Sequence, residues 1–291
     1  MDRSRVLDLL DRWVSASAPE EGARWLDEKR RHIAGGAPRR VFFAAFSAVP
    51  RYTGKADLAL SAEDREAAEA ARPGWQPAAW SADQAGRSLL VLSLPDEDPD
   101  DYLATLNRVF DHADVGESVA LYQALPLLPH PERHRARAAE GVRSNMTAVF
   151  NAVALRNPYP AEQLDDTAWN QMVLKAVFVG SPLHEIHGLD DRANRELARM
   201  LVDYAHERWA AGRPVTPELW RPVGPFAEGD VVDDLARVLD EGSPAEREAA
   251  ALALSQSPSE RAAEILAAHP QLHQAIQDGT LTWERVGTEE Q

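Results

Sequence analysis

The residues best equipped for chemistry lie between positions 141 and 226, where charged and amide side chains interrupt apolar helical patterns. Lys175 sits in WNQMVLKAVF and is one of three lysines, with Lys29 and Lys55. A desolvated amine in such a place can act as a Schiff-base nucleophile or hold a substrate anion. At 100° per residue from Trp169, Met172, Val173, Ala176 and Val177 share one side. Leu174 and Phe178 carry apolar surface around the back, so this helix reads as buried nearly all round, with Gln171 one turn before Lys175. On the next helix Asn194 and Arg208 project onto the face built by Leu197, Ala198, Leu201, Ala205 and Trp209. An arginine within an apolar stripe must meet a carboxylate or a ligand. The plain reading makes Asn194 a cap and pairs Arg208 with an acid across the bundle; the functional reading puts both in a polar pocket with Asp190 and Arg192 at its rim. Upstream, Arg143 and Asn145 flank a face of Val142, Met146, Val149, Phe150 and Val153, and Asn157 caps the last carbonyls or faces the same pocket.

His184 and His187 stand three apart, with Asp190 and Asp191 beyond Gly188. Two histidines without a third ligand at defined spacing are a weak metal signal, and no metal or cofactor is assigned. No GxSxG, Walker, Rossmann or HExxH motif occurs. Four arginines between 132 and 143 are diluted by Glu132 and Glu140 and lack interleaved aromatics, which argues against RNA binding.

The elements that must position these groups are helices. Val6, Leu10, Trp13 and Val14 recur at helical spacing, Pro19 suits the first turn of a second helix, and a third covers 39 to 49 and ends at Pro50. Ser61 with Asp64 and Ser81 with Gln84 form capping boxes opening helices near 62 to 71 and 82 to 94. Further helices follow near 99 to 112, 115 to 125, 133 to 156, 166 to 179 and 191 to 211, with a short one opened by Ser181-Pro182. Three or four Ala-rich helices occupy 229 to 279. The expectation is an all-α protein: an irregular α-solenoid-like array of antiparallel helix pairs, HEAT-like in its C-terminal part, though without a fixed repeat period. Pro222, Gly224, Pro225 and Gly229 cluster at a boundary that divides a domain of 1–226 from acidic helices of 227–291 packed on it.

The formal net charge of −16 and the isoelectric point near 5.0 oppose general attraction to nucleic acid or anionic lipid. Residues 227 to 291 hold 14 acidic residues against 4 arginines, a solvated face, whereas 141 to 226 balance 10 acids with 9 bases. There is no cysteine, so thiolate nucleophiles and thiolate metal sites are excluded. MDRSRVLDLLDRW lacks a secretory h-region, and the longest apolar stretch, at 41 to 49, is about half of a membrane span. A cytoplasmic protein without direct membrane insertion is expected.

RSNMTAVFNA, NPYP, WNQMVLKAVF, GLDDRANRELARMLVDYAHERWAAGR and PELWRPVGPF together resemble the EboA-like family, over nearly the whole chain to about residue 226. The resemblance implies a metabolite traffic protein of bacterial secondary-metabolite gene clusters, with a small-molecule metabolite and other proteins of the same cluster as partners. It brings no catalytic residues. The motif positions that combine polarity with apolar surroundings are Arg143, Asn145, Asn157, Asn170, Lys175, Asp190, Arg192, Asn194, Arg208 and Arg213, and these are the candidate ligand-binding residues.

Three functions are consistent with this set. An accessory protein would bind a metabolite or precursor in a polar pocket, and an enzyme would transform it through the Lys175, Asp190 and Arg208 region. A helical interaction scaffold would instead pair the polar set internally.

Overall fold

The computed structural model describes residues 2–289 and divides into two compact units, residues 1–164 and 165–291. Among the described residues there is no strand, and the only pairing of extended backbone is an isolated bridge between Asp57 and Ser81. The protein is all-α, as expected.

The first unit contains α1 (Arg3–Ser17), α2 (Glu20–Ala34), α3 (Arg39–Thr53), α4 (Ala62–Ala71), α5 (Ala82–Leu92), α6 (Pro99–Phe110), α7 (Val115–Ala124), α8 (Arg135–Arg143), α9 (Thr147–Ala154) and α10 (Tyr159–Gln163). Its centre is α5, against which α1, α2, α3 and α7 pack. Ala82, Ala85, Leu89, Leu90 and Val91 are fully buried there. Burial on most sides leaves Asp83 and Arg87 needing each other, and they meet at 2.6 Å. Both expected capping boxes are present, Ser61 with Asp64 and Ser81 with Gln84.

Two helices depart from expectation. α3 does not end at Pro50 but runs on to Thr53. Proline at 50 cannot donate to the carbonyl of Phe46 four residues back. That carbonyl accepts from Arg87 Nε instead, at 3.3 Å, so a neighbouring helix supplies the missing donor. The single helix expected over 133 to 156 is a 3₁₀ turn (Pro131–His134) followed by α8 and α9. The Met146 N–H donates to Ser144 Oγ at 3.1 Å, a local bond that competes with helix continuation. Met146 is consequently 48% exposed and does not share a face with Val142.

The second unit contains α11 (Asp166–Val179), α12 (Arg195–Ala210), α13 (Asp230–Glu241), α14 (Pro244–Gln256), α15 (Glu260–Ala267), α16 (Pro270–Gln277) and α17 (Trp283–Glu289), with 3₁₀ turns at Leu183–Glu185, Pro217–Trp220 and Gly224–Phe226. The helix expected to start near 191 begins at Arg195, and the one opened by Ser181-Pro182 is a single 3₁₀ turn. The Ala-rich α14 is central: Ala249, Ala250, Ala251 and Ala253 are fully buried, and α13, α15, α16, α17 and the turns at 217–220 and 224–226 pack around it. Small side chains there admit close neighbours; a Cβ on Gly224 would lie 2.9 Å from Ala253 Cα. The Pro- and Gly-rich stretch at 222 to 229 runs within this unit, between the 217–220 turn and α13.

Candidate functional site

The ten candidate residues fall into the two units: Arg143, Asn145 and Asn157 in the first, the others in the second. Arg143 and Asn145 are exposed at the α8–α9 break. Asn157 is 3% exposed and fully employed. Its Nδ2 donates to the carbonyls of Tyr122 (3.1 Å) and Ala152 (3.0 Å), and its Oδ1 accepts the N–H of Tyr159 (3.0 Å), which ties α7, α9 and α10 together.

In the second unit the buried Asn170 of α11 faces Asn194, the N-cap of α12. Asn170 Nδ2 donates to Asn194 Oδ1 at 3.1 Å, and Asn194 Nδ2 returns a bond to Asn170 Oδ1 at 2.8 Å. The Oδ1 of Asn194 also accepts the Leu197 N–H at 2.9 Å, so the plain capping reading holds. Arg192 lies with its guanidinium 4.9 Å from the Trp169 ring centroid and 2.6 Å from Asp166 Oδ1. Asp190 receives a two-pronged bond from Arg221, Nε to Oδ1 and Nη2 to Oδ2, each at 2.7 Å.

Among the described residues Arg208 has no acid partner: its Nε and Nη2 both donate to the Pro214 carbonyl, at 3.1 and 3.0 Å, closing the turn after α12. Lys175 is half-buried, and burial lowers its ammonium pKa. The helix around it is not buried all round, because Gln171 is exposed and Phe178 is 74% exposed on the same side.

Two residues of the PELWRP motif outside the candidate set prove central. Glu218 is 3% exposed, yet its carboxylate accepts the Leu183 N–H at 3.0 Å and the His184 N–H at 2.5 Å and contacts His184 Nδ1 at 3.0 Å. It therefore holds the 183–185 turn, and His184 is committed to it. Arg221 links Asp190 to Glu284 of α17, at 3.4 Å from the latter. Burial works against its charge, but the Asp190 bond and the nearby Glu284 and Glu218 carboxylates outweigh burial and raise its pKa. A Cβ on Gly287 would sit 2.3 Å from His184 Nδ1 and 2.9 Å from Glu218 Oε1, so α17 seals this cluster by bare backbone. The sequence signal is a glutamate and an arginine flanking the apolar Leu219-Trp220 pair, outside any helical periodicity; Glu218 is buried and Arg221 half-buried. Among the described residues no group of three or more His, Asp or Glu converges as metal ligands.

Arg213, exposed, is the one candidate residue on the wall of the groove between α12 and α13–α14. The groove encloses about 350 Å³ and is lined by Trp209, Gly212, Arg213, Arg237, Val238, Glu241, Gly242 and Glu246. The Arg237 guanidinium lies 4.2 Å from the Trp209 ring centroid and Trp220 lies 5.7 Å from it on the indole, which fixes the aromatic wall. Two arginines and two glutamates give the groove both donors and acceptors.

A family model described as metabolite traffic protein EboA matches residues 6–224. The chain belongs to the EboA family. The match ends before α13, so Trp209 and Arg213 lie in the family segment while Arg237, Glu241 and Glu246 lie beyond it. No curated protein and no solved structure matches this EboA-family chain. No described helix is long and apolar enough to cross a membrane.

Proposed function

We propose that this EboA-family chain is a cytoplasmic accessory protein of bacterial secondary-metabolite biosynthesis or trafficking that binds a small polar metabolite or precursor. The observation that carries this reading is the groove beside Trp209, whose lining combines Arg213 of the candidate set and Arg237 of α13, itself 3.3 Å from Asp234, with Glu241 and Glu246. Opposed charges of this kind orient a ligand carrying both acceptors and donors. In this reading the family domain of 1–226 supplies one wall, and the appended HEAT-like helices of 227–291 supply the other. Other proteins of the same gene cluster would deliver or receive the ligand.

The enzymatic alternative requires Lys175, Asp190 and Arg208 to act on one substrate, whereas Asp190 is engaged by Arg221 and Arg208 by Pro214. The scaffold alternative is favoured by a different observation: Asn157, Asn170, Asp190, Arg192, Asn194 and Arg208 all have partners within their own units.

Native mass spectrometry of the full chain purified from its own host separates these readings. The expected result is a co-purifying small molecule, released by organic extraction and lost in the Arg213→Ala, Arg237→Ala double variant. Protein that emerges bare from a host expressing the intact cluster, or an adduct that survives the double substitution, would overturn the groove assignment.

A further inference from the structure

The first unit carries a second cleft, independent of the groove in the second. It lies between α3, α6 and the start of α7, encloses about 240 Å³ and falls entirely within the family-matched segment. Phe43, Phe46 and Val109 form its apolar lining, and Arg108, His112 and Glu117 add polar groups. Its size, below the usual range for drug-sized ligands, suits one or two fused rings rather than a nucleotide or a protein segment.

Its charges are unequally committed. Arg87 lies behind Phe46, 5.6 Å from the ring centroid, and its charge is cancelled by the buried bond to Asp83. Glu117 gives one oxygen to the Asp114 N–H at 3.0 Å at the N-terminus of α7, where the helix end favours an anion. Arg108 differs: it is exposed, lies 5.3 Å from the Phe43 ring centroid, and has no carboxylate within ion-pairing distance among the described residues. His112 Nδ1 lies 3.0 Å from the Arg108 carbonyl, which can only accept. The ring proton therefore resides on Nδ1, and a neutral His112 keeps Nε2 as an acceptor.

The geometry points to a binding site for a small aryl carboxylate, its ring against Phe43, Phe46 and Val109 and its carboxylate on Arg108. A hydroxyl or ring N–H at the far end of the ligand would satisfy His112 Nε2 or the second oxygen of Glu117. A ligand cation is disfavoured because Arg108 stands over the aromatic wall, and a neutral hydrocarbon would forgo the charge-assisted bond that the guanidinium offers.

Calorimetric titration of the full chain with 2-naphthoate, and separately with the neutral 2-naphthalenemethanol, tests this assignment. The acid should saturate at sub-millimolar concentration and bind at least about tenfold tighter than the alcohol, the effect of one charge-assisted bond. Arg108→Met should remove that preference, and Phe43→Ala should weaken both compounds. Arg237→Met, in the other unit, should change nothing, so the cleft and the groove can fail separately. Amide NMR shifts should concentrate at 43–47 and 108–117. Equal binding of acid and alcohol, absence of saturation in the millimolar range, or an unaltered preference in a folded Arg108→Met protein would overturn the proposal.

Discussion

Asn170 and Asn194 exchange side-chain amide bonds in both directions, at 3.1 and 2.8 Å, while Asn194 caps α12 through Leu197. One residue thus starts a helix and satisfies a buried amide on its neighbour. Asn194→Ala should therefore cost more than an ordinary cap: about 1 kcal/mol for the cap and about 1 to 3 kcal/mol for the stranded Asn170 amide. Asn194→Asp, which keeps the cap acceptor but cannot donate to Asn170, should fall between. Urea unfolding checks the order, and equal stability of the two variants would remove the reciprocal pair from the account.

Glu218 offers a second test, because it satisfies two backbone N–H groups of the 183–185 turn from about 35 residues further along the chain. Glu218→Ala should destabilise the second unit by about 2 to 4 kcal/mol through unpaired buried donors. Gly287→Ala should be damaging as well, since its methyl would enter the space of His184 and Glu218. Hydrogen exchange at Leu183 and His184 should rise in both variants, and unchanged protection would mean that the turn is held otherwise.

The pair Asp83–Arg87 is buried on both sides, with side chains 7% and 4% exposed. Arg87→Met alone leaves Asp83 uncompensated and deprives the Phe46 carbonyl of its donor, a loss of about 3 to 5 kcal/mol. Asp83→Leu combined with Arg87→Met should recover a large part of that loss. A double-mutant cycle on thermal unfolding measures the coupling, and simple additivity would show that the two charges do not depend on each other.

His134 gives a pH dependence. Burial lowers its pKa from the ordinary 6.5, against the partly opposing bond from its Nε2 to the Pro129 carbonyl at 2.8 Å. Above 6.5 the ring is neutral in both the folded and the unfolded chain, and it contributes no slope. As pH falls below that value the unfolded chain takes up a proton first, so stability is lost down to the lower folded pKa. His134→Gln can keep a donor to Pro129 but cannot titrate. The wild type should lose more stability than this variant between pH 7 and pH 5.5, as read from urea midpoints at each pH. Parallel losses would place the acid sensitivity elsewhere.

Much of the fold is legible in local chemistry. The capping boxes at Ser61 and Ser81, the span of α11 and the alanine-rich tail follow from residues close in sequence. The continuation of α3 through Pro50 is not legible, because the group that rescues it, Arg87, belongs to another helix. The break at Ser144 was visible as a serine that can bond its own backbone, but apolar periodicity on either side masks it. For the site, helical angles placed Lys175 and Arg208 on helices that do form, but put Asn145 and Asn194 inside helices that stop short of them, and could not distinguish a ligand contact from an internal one. Arg208 illustrates the difference: it turns back to the loop that follows its own helix. Glu218 and Arg221 were hidden by an aperiodic 3₁₀ segment, to which helical spacing does not apply.

The seal that Gly287 makes over His184 also bears on how the second unit forms. These residues are about a hundred positions apart, so the contact belongs to the long-range class whose closure is slow. During synthesis the 183–185 turn stays open while α12 to α16 are being made, with its Glu218 carboxylate still accessible to water. Glu218 reaches its final burial only when α17 arrives, which makes completion of the cluster a late step in the folding of that unit.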